Sequence, residues 1–91
     1  MSDDFYTRAA AKIFREYSSL IGRAAVGIAR RQDFVRMEDG EISELEGGRE
    51  ELDELVSAYQ DTMGEVAIRI AKDALKDVED FSENEIPDRL S

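Results

Sequence analysis

Apolar residues in the first third of the chain recur at steps of four and three, as Ala10, Phe14, Tyr17, Ile21, Ala24 and Ile28. That spacing draws a stripe along one face of an α-helix. No proline interrupts the run from Asp3 to Arg31, acidic residues stand at its start, and Arg30 and Arg31 close it where cations suit the helix dipole. The pattern predicts one long helix over about 4–31. A second row at the same spacing, Ser18, Gly22, Ala25 and Ala29, is made of small residues. Gly22 and Gly27 would each cost about 1 kcal/mol in a solvated helix interior, so a close helix crossing is expected to compensate.

Between Phe34 and Leu45 the period changes, and Asp39-Gly40 sits in the middle of the segment. Asp-Gly favours a two-residue hairpin turn. With that turn centre Met37 faces Ile42 and Val35 faces Glu44, while Phe34 and Leu45 meet at the open end. An irregular acidic loop over 34–45 is the alternative. Gly47-Gly48 then breaks the chain, and Glu50 and Glu51 open a second long helix, expected over about 49–81. Its main stripe is Leu52, Leu55, Val56, Tyr59, Met63, Val66, Ile70 and Ala74, widened by Ile68, Ala71, Leu75 and Val78. Residues 82–91 are polar, contain Pro87, and read as a mobile tail after a single domain over 1–81.

The two helical stretches echo one another. At a shift of 42, Tyr17, Gly22, Ala25, Ile28 and Ala29 align with Tyr59, Gly64, Ala67, Ile70 and Ala71, and Val26 aligns with Ile68. One reading is a duplicated helix folded back as a pseudo-twofold hairpin with its glycines at the crossing; the other is convergence of two amphipathic helices on one period.

Charge narrows the function classes. Twenty-two acidic against twelve basic residues give a net charge of −10, which disfavours nucleic acid and anionic lipid as partners. Residues 1–33 carry +2 (six basic, four acidic) and residues 34–91 carry −12 (six basic, eighteen acidic), so the halves are electrically complementary. Arg23, Arg30 and Arg31 are expected near Glu50, Glu51, Asp53 and Glu54, or else form a basic patch for an external anion. Nine arginines against three lysines in so acidic a chain resemble the proteins of salt-in halophiles. An ordinary acidic cytoplasmic protein has a similar composition. The start of the chain shows no secretory pattern, and no apolar run is long enough to span a bilayer, so a cytoplasmic location is expected.

The absence of both cysteine and histidine removes disulfides, thiolate nucleophiles, the usual zinc ligands and imidazole acid–base chemistry. Placing Gly40 at the required glycine of an EF-hand loop puts Val35 and Met37 where ligands belong, which rejects that site. Glu50, Glu51 and Glu54 make one acidic helix face that resembles the all-helical pyrophosphohydrolase type. The matching inward cluster on a following helix is missing, since Asp73, Asp77 and Asp80 share the helix that carries the first.

These readings converge on a mainly α fold: two long antiparallel helices joined by a short β-hairpin or loop, dimerising into a four-helix bundle. The expected packing and dimer-interface residues are Phe14, Tyr17, Ser18, Ile21, Gly22, Ala25, Ile28, Ala29, Tyr59, Met63, Gly64, Ile68, Ala71 and Leu75. Function is expected to be that of a non-catalytic, dimeric protein-interaction or regulatory module in an acidic cytoplasmic protein. Its partners would be a second copy and possibly another protein, with no cofactor, catalytic residue, metal, nucleic acid or membrane. A small-ligand-sensing helical module is the alternative, and a magnesium-dependent phosphohydrolase ranks third.

Overall fold

Each of the two long helical stretches is broken once. A computed structural model describes residues 5–78 and 87–90. Its α-helices are α1 (Phe5–Ile21), α2 (Arg23–Arg30), α3 (Arg49–Met63) and α4 (Val66–Lys76), with strands β1 (Val35–Glu38) and β2 (Glu41–Leu45) between the second and third. A 3-10 helix spans Asp88–Leu90. The chain is thus mainly helical with a small two-stranded antiparallel sheet.

The breaks fall at Gly22 and Gly64, which adopt φ 62°, ψ −134° and φ 72°, ψ −154°. This backbone region is open almost only to glycine. The expected close crossing is therefore not the reason for these glycines, because a Cβ at either would meet nothing within 4 Å. They are there to turn the chain. A continuous helix of 28 residues would run about 42 Å, whereas the longest extent of the molecule is 30 Å. The turn also resets the phase of the apolar stripe. Ala24 and Val66, assigned to the inner face by unbroken periodicity, are exposed, and the neighbouring Ala25 and Ala67 are buried in their place.

The hairpin reading of 34–45 holds, with a correction in register. Asp39 and Gly40 take positive φ of 55° and 79°, as a two-residue turn of this hand requires. Met37 faces Ile42 as expected, but Val35 faces Leu45 rather than Glu44, because the pairing shifts between Arg36 and Met37. Ser43 is the extra residue, and its hydroxyl donates to the Arg36 carbonyl at 3.2 Å. The bulge lets Ile42 and Leu45, three residues apart, both face the core, which strict alternation would forbid.

One core collects Phe5, Ile13 and Phe14 of α1, Leu52, Leu55 and Val56 of α3, Ala71 and Leu75 of α4, and Ile42 and Leu45 of the hairpin. The described part of the expected mobile tail is docked on it. Pro87 and Leu90 are buried, and the Arg89 guanidinium is bonded to Asp53 at 2.8 Å and to the Gln60 side chain at 2.8 Å. The second stretch also ends earlier than the expected 81: α4 stops at Lys76 with Asp77 as its C-cap, and residues 79–81 lie outside the described residues. Among the described residues no helix is long and apolar enough to cross a membrane.

Candidate functional site

Where the two halves meet, a pair of tyrosines makes a reciprocal contact. The Tyr17 hydroxyl donates to the Ala67 carbonyl at 2.7 Å, and the Tyr59 hydroxyl donates to the Ala25 carbonyl at 2.6 Å. Their ring centroids are 4.1 Å apart. Each acceptor lies three residues beyond a break glycine, and donor and acceptor exchange roles at the shift of 42. The break itself repeats in the same atoms. The Gly22 N–H donates to the Ser18 carbonyl and the Gly64 N–H to that of Gln60, while Ala25 and Ala67 donate to the carbonyls of Gly22 and Gly64. Reciprocity of this kind is the signature of a twofold relation, so the echo in the sequence corresponds to a repeated helix–break–helix unit. Burial pushes the phenols of both tyrosines well above their usual range, and the nearness of Tyr59 adds to the effect at Tyr17. They act here as neutral hydrogen-bond donors.

The expected interface residues separate by depth. Phe14, Tyr17, Ala25, Ile28, Ala29, Tyr59, Ala71 and Leu75 are buried within the one chain, Ser18, Ile21, Met63 and Ile68 are half-buried, and Gly22 and Gly64 are exposed. Of the face that a second chain was expected to cover, Ala25, Ala29, Ala71 and Leu75 are buried within the one chain, because four short helices pack where two long ones could not, while Ser18, Gly22 and Ile68 keep some exposure. The large hydrophobics that stand in solvent among the described residues are Leu20, at 62% exposure, and Val66, at 51%. Each lies two residues from a break glycine.

The electrical complementarity takes another route than expected. Among the described residues no ion pair joins Arg23, Arg30 or Arg31 to Glu50, Glu51, Asp53 or Glu54. The first half contributes Lys12, 3.7 Å from Asp77, and Arg15, 2.8 Å from Glu41. Glu51 reaches back instead to the Gly48 N–H, its Oε1 accepting at 2.8 Å, and so caps α3. A side chain at Gly47 would collide with that carboxylate. Among the described residues no group of three acidic side chains is placed to hold a metal ion.

An open groove of about 600 Å³ lies at the start of α3, lined by Arg49, Glu50, Asp53, Glu54, Pro87 and Arg89. Its polar groups are already engaged in part, since Arg89 is committed to Asp53 and Gln60. The hydrogen bond that Arg89 donates to Asp53, more than the charge of that carboxylate, raises the affinity of the guanidinium for its proton. Every buried side-chain nitrogen and oxygen among the described residues has a hydrogen-bond partner. Sequence reasoning missed Thr7, whose buried hydroxyl accepts from the Leu45 N–H at 3.2 Å, and it missed the docking of Arg89. A threonine in a helix near a strand of unknown register carries no local signal for such a bond. Comparison with known proteins returns no matching family model, and neither a curated protein nor a solved structure matches the chain significantly.

Proposed function

We propose that the chain is a non-catalytic protein-interaction or regulatory module of an acidic cytoplasmic protein suited to high salt. The observation that carries this reading is the exposure of Leu20 and Val66 beside the two breaks, where the other large apolar side chains among the described residues are buried or half-buried. An exposed apolar side chain gains most from association when it projects from a rigid shoulder, because little conformational freedom remains to be lost. A break fixed by a tyrosine hydrogen bond provides such a shoulder. The remaining surface is strongly acidic, which selects against nucleic acid and favours a protein contact at high ionic strength.

Crosslinking capture from the source cell at its native salt, run beside a Leu20→Ser/Val66→Ser variant of matched thermal stability, tests the proposal. A discrete protein retained by the unaltered chain and lost by the variant is expected. Equal retention by both chains, or retention by neither, overturns it.

The groove at the start of α3, lined by Arg49, Glu50, Asp53, Glu54, Pro87 and Arg89, favours a second reading, a sensor of a small ligand whose charge its mixed lining does not select. Its volume falls within the range of small-molecule sites. That reading requires a rise in melting temperature with a small carboxylate, phosphate or amine, abolished by Arg89→Ala.

A further inference from the structure

The sheet has two strands and therefore two outer edges, and only one of them is taken up by α1. On β2 that helix lies alongside, and Thr7 accepts the Leu45 N–H. On β1 the ladder alternates. The Phe34 carbonyl accepts from Glu46, and Glu38 is the turn-flanking partner of Glu41, so residues 34, 36 and 38 turn their backbone groups toward β2. Val35 and Met37 turn theirs outward. The Val35 N–H is used by the Gln32 carbonyl. The outward N–H and carbonyl of Met37 have no bond to any described residue.

We infer that β1 is a self-pairing edge, which joins β1 of a second copy antiparallel about Met37 to make a four-stranded sheet across a twofold axis. The commitment to a second copy rests on charge register. Centred on Met37, the pairing sets Arg36 opposite Glu38 of the second copy and Glu38 opposite its Arg36, so each pair of opposite charges occurs twice. Both side chains lie on the exposed face. Arg36 already donates from Nε and Nη2 to Glu46 of its own chain, at 2.9 and 2.8 Å. It keeps its remaining N–H groups for Glu38 of the second copy, a carboxylate with no ion-pair partner among the described residues of its own chain. On the inner face the half-buried Met37 meets its own counterpart. The two Met37 residues then exchange N–H and carbonyl, which satisfies the groups left open in one chain. The carboxylates that repel across such a seam, Glu41 and Glu44, stand on the outer strands, one strand spacing further back, where salt screens them. Self-association should therefore strengthen from dilute buffer to molar KCl. This surface is distinct from the one that carries Leu20 and Val66, and the inference stands whether or not that face binds a partner.

Sedimentation equilibrium in molar KCl should give about twice the 10.3 kDa of one chain. Arg36→Glu and Glu38→Arg should each weaken the dimer by roughly tenfold or more, since symmetry places every substitution in two like-charge pairs. The doubly reversed Arg36→Glu/Glu38→Arg chain should recover most of the loss. Met37→Pro, which removes the outward N–H without touching the ladder to β2, should be monomeric with an unchanged helical circular dichroism spectrum. Leu20→Ser/Val66→Ser should leave the dimer intact. A chain that stays monomeric in molar KCl overturns the inference. So does a dimer indifferent to both charge reversals, or one abolished by Leu20→Ser/Val66→Ser. If Met37→Pro fails to fold, the recovery by double reversal decides.

Discussion

The units α1–α2 and α3–α4 make the same turn with the same backbone atoms, yet they surround themselves differently. Inward positions match along their length: Ala10, Ile13 and Phe14 correspond at the shift of 42 to Leu52, Leu55 and Val56, and all six are buried. Outside, α1 places Lys12 and Arg15 against acidic partners and lies on the hairpin, whereas α3 starts with acidic residues and receives Arg89. The residues are identical at the tyrosines, the break glycines, the alanines that follow them and the pair Ile28/Ile70. At Ala10/Leu52, Ile13/Leu55 and Phe14/Val56 only apolar character is shared. The contrast separates residues that a twofold junction requires, because each must fit its own counterpart, from residues that a core merely accommodates.

The most severe way to break the comparison is to empty its centre. Tyr17→Ala or Tyr59→Ala should each cost about 3–5 kcal/mol in chemical denaturation, the range for loss of a buried aromatic ring. The two costs should be alike, and the double variant should lose less than their sum, since the rings touch. Unequal costs would mean that one half depends on the other more than the reverse. Next come the breaks. Gly22→Ala and Gly64→Ala should each cost about 1–3 kcal/mol through backbone strain alone, because there is room for the methyl group. A stabilised variant at either position would show that its break is not needed.

Gly27 sharpens the same comparison from the other side. It lies within α2, a Cβ there meets nothing within 4 Å, and its counterpart in the second unit is Arg69. Gly27→Ala should stabilise by about 0.5–1 kcal/mol in thermal or urea unfolding. Two glycines five residues apart in one sequence would then change stability in opposite directions.

Alkali should act on both tyrosines together. Their folded phenols hold the proton more tightly than the unfolded value of about 10. The unfolded chain therefore binds fewer protons above that pH, and stability is fully present below about pH 10 and falls as pH rises further. Tyr17→Phe/Tyr59→Phe should flatten that decline. The smallest expected effect is electrostatic and shared by both units: the melting temperature should rise from dilute buffer to molar KCl as the charge of −10 is screened. A flat curve would remove the case for adaptation to salt.

Much of this was legible from residue order, but not where one signal had two physical meanings. Asp39-Gly40 announced its turn, because few dipeptides take positive φ twice. Gly22 and Gly27 look alike inside a helical pattern, and periodicity alone cannot say which one stops the helix. The discriminating signal was in the echo, where Gly22 repeats as Gly64 but Gly27 does not repeat. Missing it extended both helices, put Ala24 and Val66 on the wrong face, and assigned Ala25, Ala29, Ala71 and Leu75 to an outer face although they are buried within the chain. The bulge had a trace as well, since Ile42 and Leu45 are three apart where a regular strand buries every second residue. The docking of Arg89 depends on a contact across 36 positions and left no local trace.

The exchanged tyrosine bonds bear on how the molecule comes apart. Each unit anchors its phenol on the backbone of the other just past the bend, so the opening of one deprives both of a buried partner at once. The units should consequently not fray one after the other. Amide protons in the turns after Gly22 and Gly64 should exchange with solvent at a common rate, set by disruption of the whole molecule rather than by local breathing.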